Sequence, residues 1–153
     1  MSMAELKEYP EKLREIVEMF EWVNESERIE ILLDYSNRFV DVPPEIATRP
    51  FPEENRVQRC ESKAYVFTEP LQDDGTLKFH FAVENPQGVS ARALGAILQE
   101  ALSDRPVEEI LNIPQDIVSR VFGDRISMGK GEGLLGMVSL LKCYVQQATT
   151  ANN

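Results

Sequence analysis

Thr76-Leu77-Lys78-Phe79-His80-Phe81-Ala82-Val83-Glu84 alternates along its length, with Leu77, Phe79, Phe81 and Val83 on one side and Lys78, His80, Ala82 and Glu84 on the other. A period of two belongs to a strand with one face against a core, so Phe79 and Phe81 are assigned inward and His80 outward. Upstream, Lys63 to Glu69 reads as the partner strand. Between them Pro70-Leu71-Gln72-Asp73-Asp74-Gly75 supplies the Asp-Gly turn chemistry of an antiparallel hairpin. Helical periodicity flanks this hairpin on both sides, which sets the fold class as α+β.

On the N-terminal side, Leu13, Ile16, Val17 and Phe20 recur at three- and four-residue spacing behind Pro10 and predict a helix from Pro10 to Val23. Asn24 and Glu27 form a candidate capping box for a second helix carrying Ile29, Leu32, Leu33 and Phe39 inward, and the two helices are expected to pair antiparallel. Pro43, Pro44, Pro50 and Pro52 then exclude a long regular helix and predict an extended passage from Val42 to Pro52. Beyond the hairpin, Ser90 is the expected cap of a helix reaching Leu102, along Leu94, Ile97 and Leu98. Short helices are predicted at Val107–Leu111 and Pro114–Phe122. A last long one runs from Leu134 to Gln147 through Met137, Val138, Leu141 and Val145. At 153 residues the chain has the size of a single domain, with residues 1–8 and 149–153 expected to fray. The sheet is expected to hold about three strands, the third a short one near Arg56 to Gln58, with helices on one face.

Between the prolines and the hairpin stands Asn55-Arg56-Val57-Gln58-Arg59-Cys60-Glu61-Ser62-Lys63. The thiolate is the nucleophilic form of cysteine, and nearby positive charge favours it. Arg59 adjoins Cys60, with Arg56 and Lys63 within four positions, while Glu61 acts in the opposite sense. Cys143 lies instead in the apolar run Leu140-Leu141-Lys142-Cys143-Tyr144-Val145, where a free cysteine is read as a small core hydrophobe. His80 stands at no ligand spacing from a second histidine or cysteine, so it is read as a solvated or half-packed sheet residue ahead of a metal ligand or a general base for Cys60.

The pattern Asn55-x-Val57-x-x-Cys60-x-Ser62, followed by a strand, an acidic hairpin, a second strand, a helix and a late Gly133-Leu134 helix, resembles the SufE-type sulfur acceptor family, also described as SufE/CsdE-like or Fe–S metabolism associated. The resemblance runs from about Phe20 to the last helix. Trp22 ahead of Arg28-Ile29-Glu30-Ile31-Leu32-Leu33 is similar to the family's early helix pair, and Pro50-Phe51-Pro52 to its extended approach to the cysteine. It implies a SufE/IscU-like fold and a protein that takes persulfide sulfur from a cysteine desulfurase onto Cys60, stimulates that desulfurase and delivers sulfur for iron–sulfur cluster assembly. The implied partners are a SufS/CsdA-type desulfurase and a downstream iron–sulfur scaffold. Pyridoxal phosphate belongs to the desulfurase, and this chain, as a carrier more than an independent catalyst, needs no cofactor beyond the transient persulfide. Gln58, Arg59 and Ser62 would support the cysteine loop, and Arg56 and Lys130 would touch the partner. Three positions are specific to this chain. Arg59 stands where the family commonly has glycine, Asn85-Pro86-Gln87 replaces an acidic turn, and Lys130 matches a basic residue that is often arginine.

Composition bounds the alternatives. With 42% apolar and 27% charged residues the chain is globular in composition, and its formal charge of -10 argues against nucleic acid and anionic membranes. No apolar stretch approaches the about 20 residues of a bilayer span. The acidic N-terminus lacks a secretory pattern, and two cysteines without metal spacing fit a reducing cytoplasm. Gly129-Lys130-Gly131-Glu132-Gly133 fails the phosphate-loop spacing and is read as a flexible helix entry. Two alternatives stay open: a thiol-dependent redox enzyme or sensor using Cys60, which would profit from a resolving cysteine, and a cluster scaffold, which would want more ligands than two cysteines and one histidine. The oligomeric expectation is a monomer or weak homodimer.

Overall fold

Residues 5–151 are described by the computed structural model, and within them the alternating stretch becomes one arm of a two-stranded antiparallel sheet. β1 (Ala64–Thr68) pairs with β2 (Phe79–Val83) in the register Ala64↔Val83 to Thr68↔Phe79. Phe79, Phe81 and Val83 are buried in the main core, as their alternation predicts. The expected third strand is reduced to a single bridge, Arg56↔Tyr65. A 3-10 turn at Glu53–Asn55 and a left-handed residue at Arg59 (φ 58°) leave too short an extended run between them for a ladder. Likewise β2 starts at Phe79 and not Thr76, because Thr76 bridges to Pro106. The hairpin turn uses Gly75 at φ 82°, and the Asp74 carboxylate accepts from the Thr76 amide (3.0 Å) and hydroxyl (2.6 Å). Those two hydrogen bonds hold the Asp74 carboxyl below the usual carboxylate range.

Helices cover one face of the sheet and the proline-rich passage covers part of the other. α1 (Glu11–Glu21) buries Leu13, Ile16, Val17 and Phe20, the stripe expected of it. α2 (Glu25–Asn37) opens on the anticipated capping box, in which Asn24 Oδ1 accepts from the Glu27 amide (2.9 Å) and Glu27 Oε1 from the Asn24 amide (3.1 Å). Losing one partner of such a box costs about 1 kcal/mol. Asn24→Ala is therefore expected to lower the unfolding free energy by about that amount, read from the denaturation midpoint.

Two expectations about α2 need correction. Ile29 and Leu33 are 52% and 46% exposed, and the inward stripe runs instead through Ile31, Leu32, Tyr35 and Phe39. Nor do α1 and α2 pair chiefly with each other: both pack on α3 (Val89–Leu102), which runs across the centre of the core. Gly95 of α3 admits this arrangement. A Cβ there would lie 3.0 Å from the Phe39 ring and 3.3 Å from that of Phe81. α3 starts at Val89 behind Gly88, so Ser90 lies inside the first turn and caps nothing.

α4 (Val107–Leu111) falls where the pattern placed it, and α5 occupies Ile117–Phe122, the last two thirds of the expected segment. Ahead of α5, Tyr9 donates to Asp116, whose carboxylate also takes the Arg120 guanidinium (3.0 Å), tying the N-terminal approach to α5. α6 (Met128–Ala151) begins six residues before the expected Leu134. The glycine-rich segment is thus helical, and Ser127 Oγ accepts from the Lys130 amide (3.2 Å) at its start. At the other end α6 passes Gln147 and includes Thr149 and Thr150, whose hydroxyls each donate to the Gln146 carbonyl (2.9 Å). Of the ends expected to fray, Leu6–Glu8 forms a 3-10 turn, while residues 1–4 and 152–153 lie outside the described residues.

The second face of the sheet carries a smaller cluster of Val42, Phe51, Phe67 and Ala82. Phe51 packs its ring 5.0 Å from that of Tyr65 and 5.1 Å from that of Phe67. The proline passage is held there by the Val42 amide, which donates to the Phe81 carbonyl (2.9 Å). Ala82, grouped with the polar residues of its strand, is buried because this passage lies over it.

Candidate functional site

Cys60 sits in a five-residue loop whose two ends, Arg59 (φ 58°) and Lys63 (φ 53°), are both left-handed. L-residues reach that region at a cost of roughly 1–2 kcal/mol each, because Cβ crowds the following carbonyl. The loop keeps this geometry through its partners. The Lys63 amide closes a turn on the Cys60 carbonyl (3.1 Å), the Val57 amide donates to the Ala64 carbonyl (2.9 Å), and the Asn55 side chain reaches the Val66 carbonyl (2.8 Å). From the turn after β2, the Asn85 amide donates to the Ser62 carbonyl (3.1 Å) and its side-chain nitrogen to the Glu61 carbonyl (3.1 Å). The segment before the loop is braced by Tyr144, which donates to the Glu54 carbonyl. Burial, with Glu54 adding to it, pushes the Tyr144 phenol up and keeps that donor protonated.

Arg59 explains its own position. A glycine would adopt φ 58° without strain, whereas Arg59 adopts the same turn and bears the strain. Arg59→Gly is accordingly expected to stabilise the protein by up to about 1 kcal/mol, seen as a higher melting temperature. An equal or lower melting temperature would mean that the Arg59 stem contributes packing that outweighs the strain.

The thiol itself faces α6. Cys60 is only 8% exposed, and a Cβ built on Gly133 would stand 3.3 Å from its Cα and 3.4 Å from both its Cβ and Sγ. One turn further along, a Cβ on Gly136 would meet Val57 at 2.7 Å. Two glycines on one face of α6 therefore let the cysteine segment lie directly on the helix backbone. On either side of the thiol a cleft opens. One, toward solvent, is lined by Arg56, Gln58, Arg59 and Glu61; the other, a tighter cavity of about 170 Å³, is lined by Ser62, Asn85, Gln87 and Lys130. Cys60 is common to both.

The residues singled out from the cysteine motif, and Lys130 with them, line the two clefts at Cys60: Arg56, Gln58 and Arg59 on the open side, Ser62 and Lys130 on the narrower side. Arg56 is partly engaged by Glu53 (3.2 Å). Sequence reasoning missed Asn85, noticed only as a change in a turn, and Gly133, read as part of a flexible entry. The i, i+3 spacing of Gly133 and Gly136 inside an apolar helix was the available signal for a close backbone approach.

Two other candidates stand apart. His80 is held by Glu69 at 2.8 Å and pairs with Phe67, three register steps from the Ala64 end of the sheet where Cys60 lies, a separation of about 10 Å along the strand. Cys143 is exposed, contrary to its reading as core filler. α6 buries Leu134, Met137, Val138, Leu141 and Val145, and Cys143, two residues and about 200° on from Leu141, points away from that stripe. Among the described residues no group of three or more His, Cys, Asp or Glu side chains is placed to hold a metal ion, and no helix is long and apolar enough to cross a membrane.

Fold and site together define a small α+β domain that presents one loop cysteine in a helix-backed cradle. Residues 14–145 match the family described as SufE: Fe-S metabolism associated domain, and the chain belongs to that family. The family is one of sulfur transfer in iron–sulfur metabolism and generally associates with cysteine desulfurases. A SufE-like protein 1, chloroplastic/mitochondrial, of Arabidopsis thaliana is 31% identical over 139 residues, which cover 90% of this chain and 35% of that protein. The chain therefore spans about a third of that relative. An uncharacterized SufE-like protein of Mycobacterium tuberculosis is 24% identical over 143 residues, covering 91% of this chain and 94% of the relative. In structure, a hypothetical protein from Thermus thermophilus superposes with a TM-score of 0.72 at 22% identity, over 93% of this chain and 98% of the other, and shares the fold.

Proposed function

We propose that this chain is a sulfur acceptor that takes sulfane sulfur from the persulfide of a cysteine desulfurase onto Cys60 and passes it on toward cluster assembly. The observation that carries the reading is the placement of Cys60, in a chain of this family, between a solvent-side cleft and a narrower cavity with its thiol against Gly133. The Cys60 thiolate attacks the terminal sulfur of the donor persulfide. A new S–S bond forms to Cys60 Sγ, the donor's own S–S bond breaks, and the donor cysteine leaves as thiolate. The outcome is Cys60–S–SH with no net oxidation, so no cofactor is needed on this side. Because Cys60 is 8% exposed at rest, the loop from Arg59 to Lys63 opens to present it and closes to shelter the product from oxidation. Drawing sulfur off the desulfurase also frees it for another turnover.

The reading is tested by following alanine release from cysteine by a pyridoxal phosphate desulfurase with and without this protein. Faster release that saturates with added protein is expected. Release that stays at the desulfurase's own rate at every concentration would contradict the proposal. A peroxide-reactive role would want a resolving thiol, and Cys143 lies ten residues along α6 from the Gly133 contact, a rise of about 15 Å, on the outer face.

A further inference from the structure

Six large hydrophobic side chains are exposed among the described residues: Trp22, Ile29, Leu33, Val40, Val89 and Met128. Ile29 lines a groove, and Leu33, Val89 and Met128 are each next in sequence to a residue that lines it. Ile29 and Leu33 lie one turn apart on α2, and the groove, of about 300 Å³, is floored by Leu32, Phe122 and Ile126. Ser90 and Ser127, the chain neighbours of the exposed Val89 and Met128, line the same groove. Exposed apolar surface concentrated in this way, beside charged residues, marks an interaction surface.

Its charge is opposite to that of the molecule as a whole. The chain carries a formal -10, yet the groove is edged by Arg125 and Lys130, neither of which makes an ion pair among the described residues, against one lining carboxylate, Glu25, which pairs with Arg28. Arg28, the third cation, is spent internally: it donates to the carbonyls of Phe20 (3.3 Å), Arg120 (3.1 Å) and Val121 (2.6 Å) and lies 3.5 Å from Glu25. A positive edge around an apolar floor suits a carboxylate carried beside an apolar side chain. A second copy of this chain is a poor occupant, since two bodies of charge -10 repel.

The position of the groove names the partner. Lys130 lines both this groove and the narrower cavity at Cys60, so the groove adjoins the cavity that holds the thiol. Resting on the acceptor reading above, we propose that this groove, formed by α2 and the starts of α3 and α6, docks an apolar, carboxylate-bearing segment of the sulfur donor. Seating there brings the donor persulfide to the Cys60 loop from the Lys130 side.

Ile29→Asp and Arg125→Glu test this, since both residues are exposed and neither lines a cleft at Cys60. Sulfur uptake is timed from two donors: a cysteine desulfurase supplied with cysteine, and inorganic polysulfide, which gives up one sulfur to the thiolate without docking. Each variant is expected to slow uptake from the desulfurase about tenfold while leaving polysulfide uptake at the wild-type rate. Variants that match wild type with the desulfurase overturn the docking surface. So does a parallel loss with polysulfide, which would place the defect at Cys60. A wild-type protein that takes sulfur from polysulfide but none from the desulfurase would overturn the acceptor reading itself, and this surface with it.

Discussion

Cys60→Ser is expected to reduce sulfur uptake to background while the protein stays folded. A serine hydroxyl is not ionised near neutral pH and forms no persulfide, so the loss is complete and not partial. Stability should change little. Cys60 is 8% exposed and lies against the α6 backbone at Gly133, so the substitution places one hydroxyl where a sulfur lay. A buried hydroxyl without a good partner costs about 1 kcal/mol, equivalent to about 2–4 °C in melting temperature for a chain of this size. Thermal denaturation followed beside sulfur uptake separates the two effects. Retained uptake would remove Cys60 from the chemistry, and collapse of the fold would make it a structural cysteine.

The second large effect is expected at Gly133, from the opposite side of the same contact. A Cβ alone would stand 3.3–3.4 Å from Cys60, so the longer side chain of Gly133→Leu has to occupy the space of the cysteine. α6 is anchored along its length by Leu134, Met137, Val138, Leu141 and Val145, whereas the loop is five residues held by a few hydrogen bonds and strained at Arg59 and Lys63. The loop therefore yields. Overpacking of this kind costs roughly 1–3 kcal/mol, which exceeds the about 1 kcal/mol that replacing a mid-helix glycine returns in helix propensity. The visible consequence is a Cys60 turned outward, with its alkylation by iodoacetamide faster by about tenfold or more. Slower or unchanged alkylation with lowered stability would show that α6 shifts instead and that the loop is the rigid partner.

Much of this was legible in the chain because its signals are periodic or chemical. The alternation from Leu77 to Val83 gave the core strand, the stripe of Leu13, Ile16, Val17 and Phe20 gave α1, and Asn24 with Glu27 gave the start of α2. Arginines around Cys60 picked out the loop. What could not be read depends on how elements meet. Ile29 and Leu33 are as apolar as Leu32, and only the docking of α2 on α3 decides which of them is covered. Cys143 sits in an apolar run whose buried stripe passes it by. The third strand failed because two backbone features, the 3-10 turn at Glu53–Asn55 and the left-handed Arg59, cut it short, and neither carries a residue that demands it. Glycines mislead in the same way: Gly129, Gly131 and Gly133 suggested a flexible entry, yet all three lie in α6, and Gly133 serves to admit Cys60.

The central claim is that Cys60 receives a sulfur atom. Its most direct test is the intact mass of the protein after incubation with a cysteine desulfurase, pyridoxal phosphate and cysteine, before and after reduction. The expected result is an addition of about 32 Da, one sulfur on a nucleophilic thiol, that reductant removes. It should be absent from Cys60→Ser and undiminished in Cys143→Ser. An unchanged mass, or an addition that follows Cys143 instead, would contradict the account.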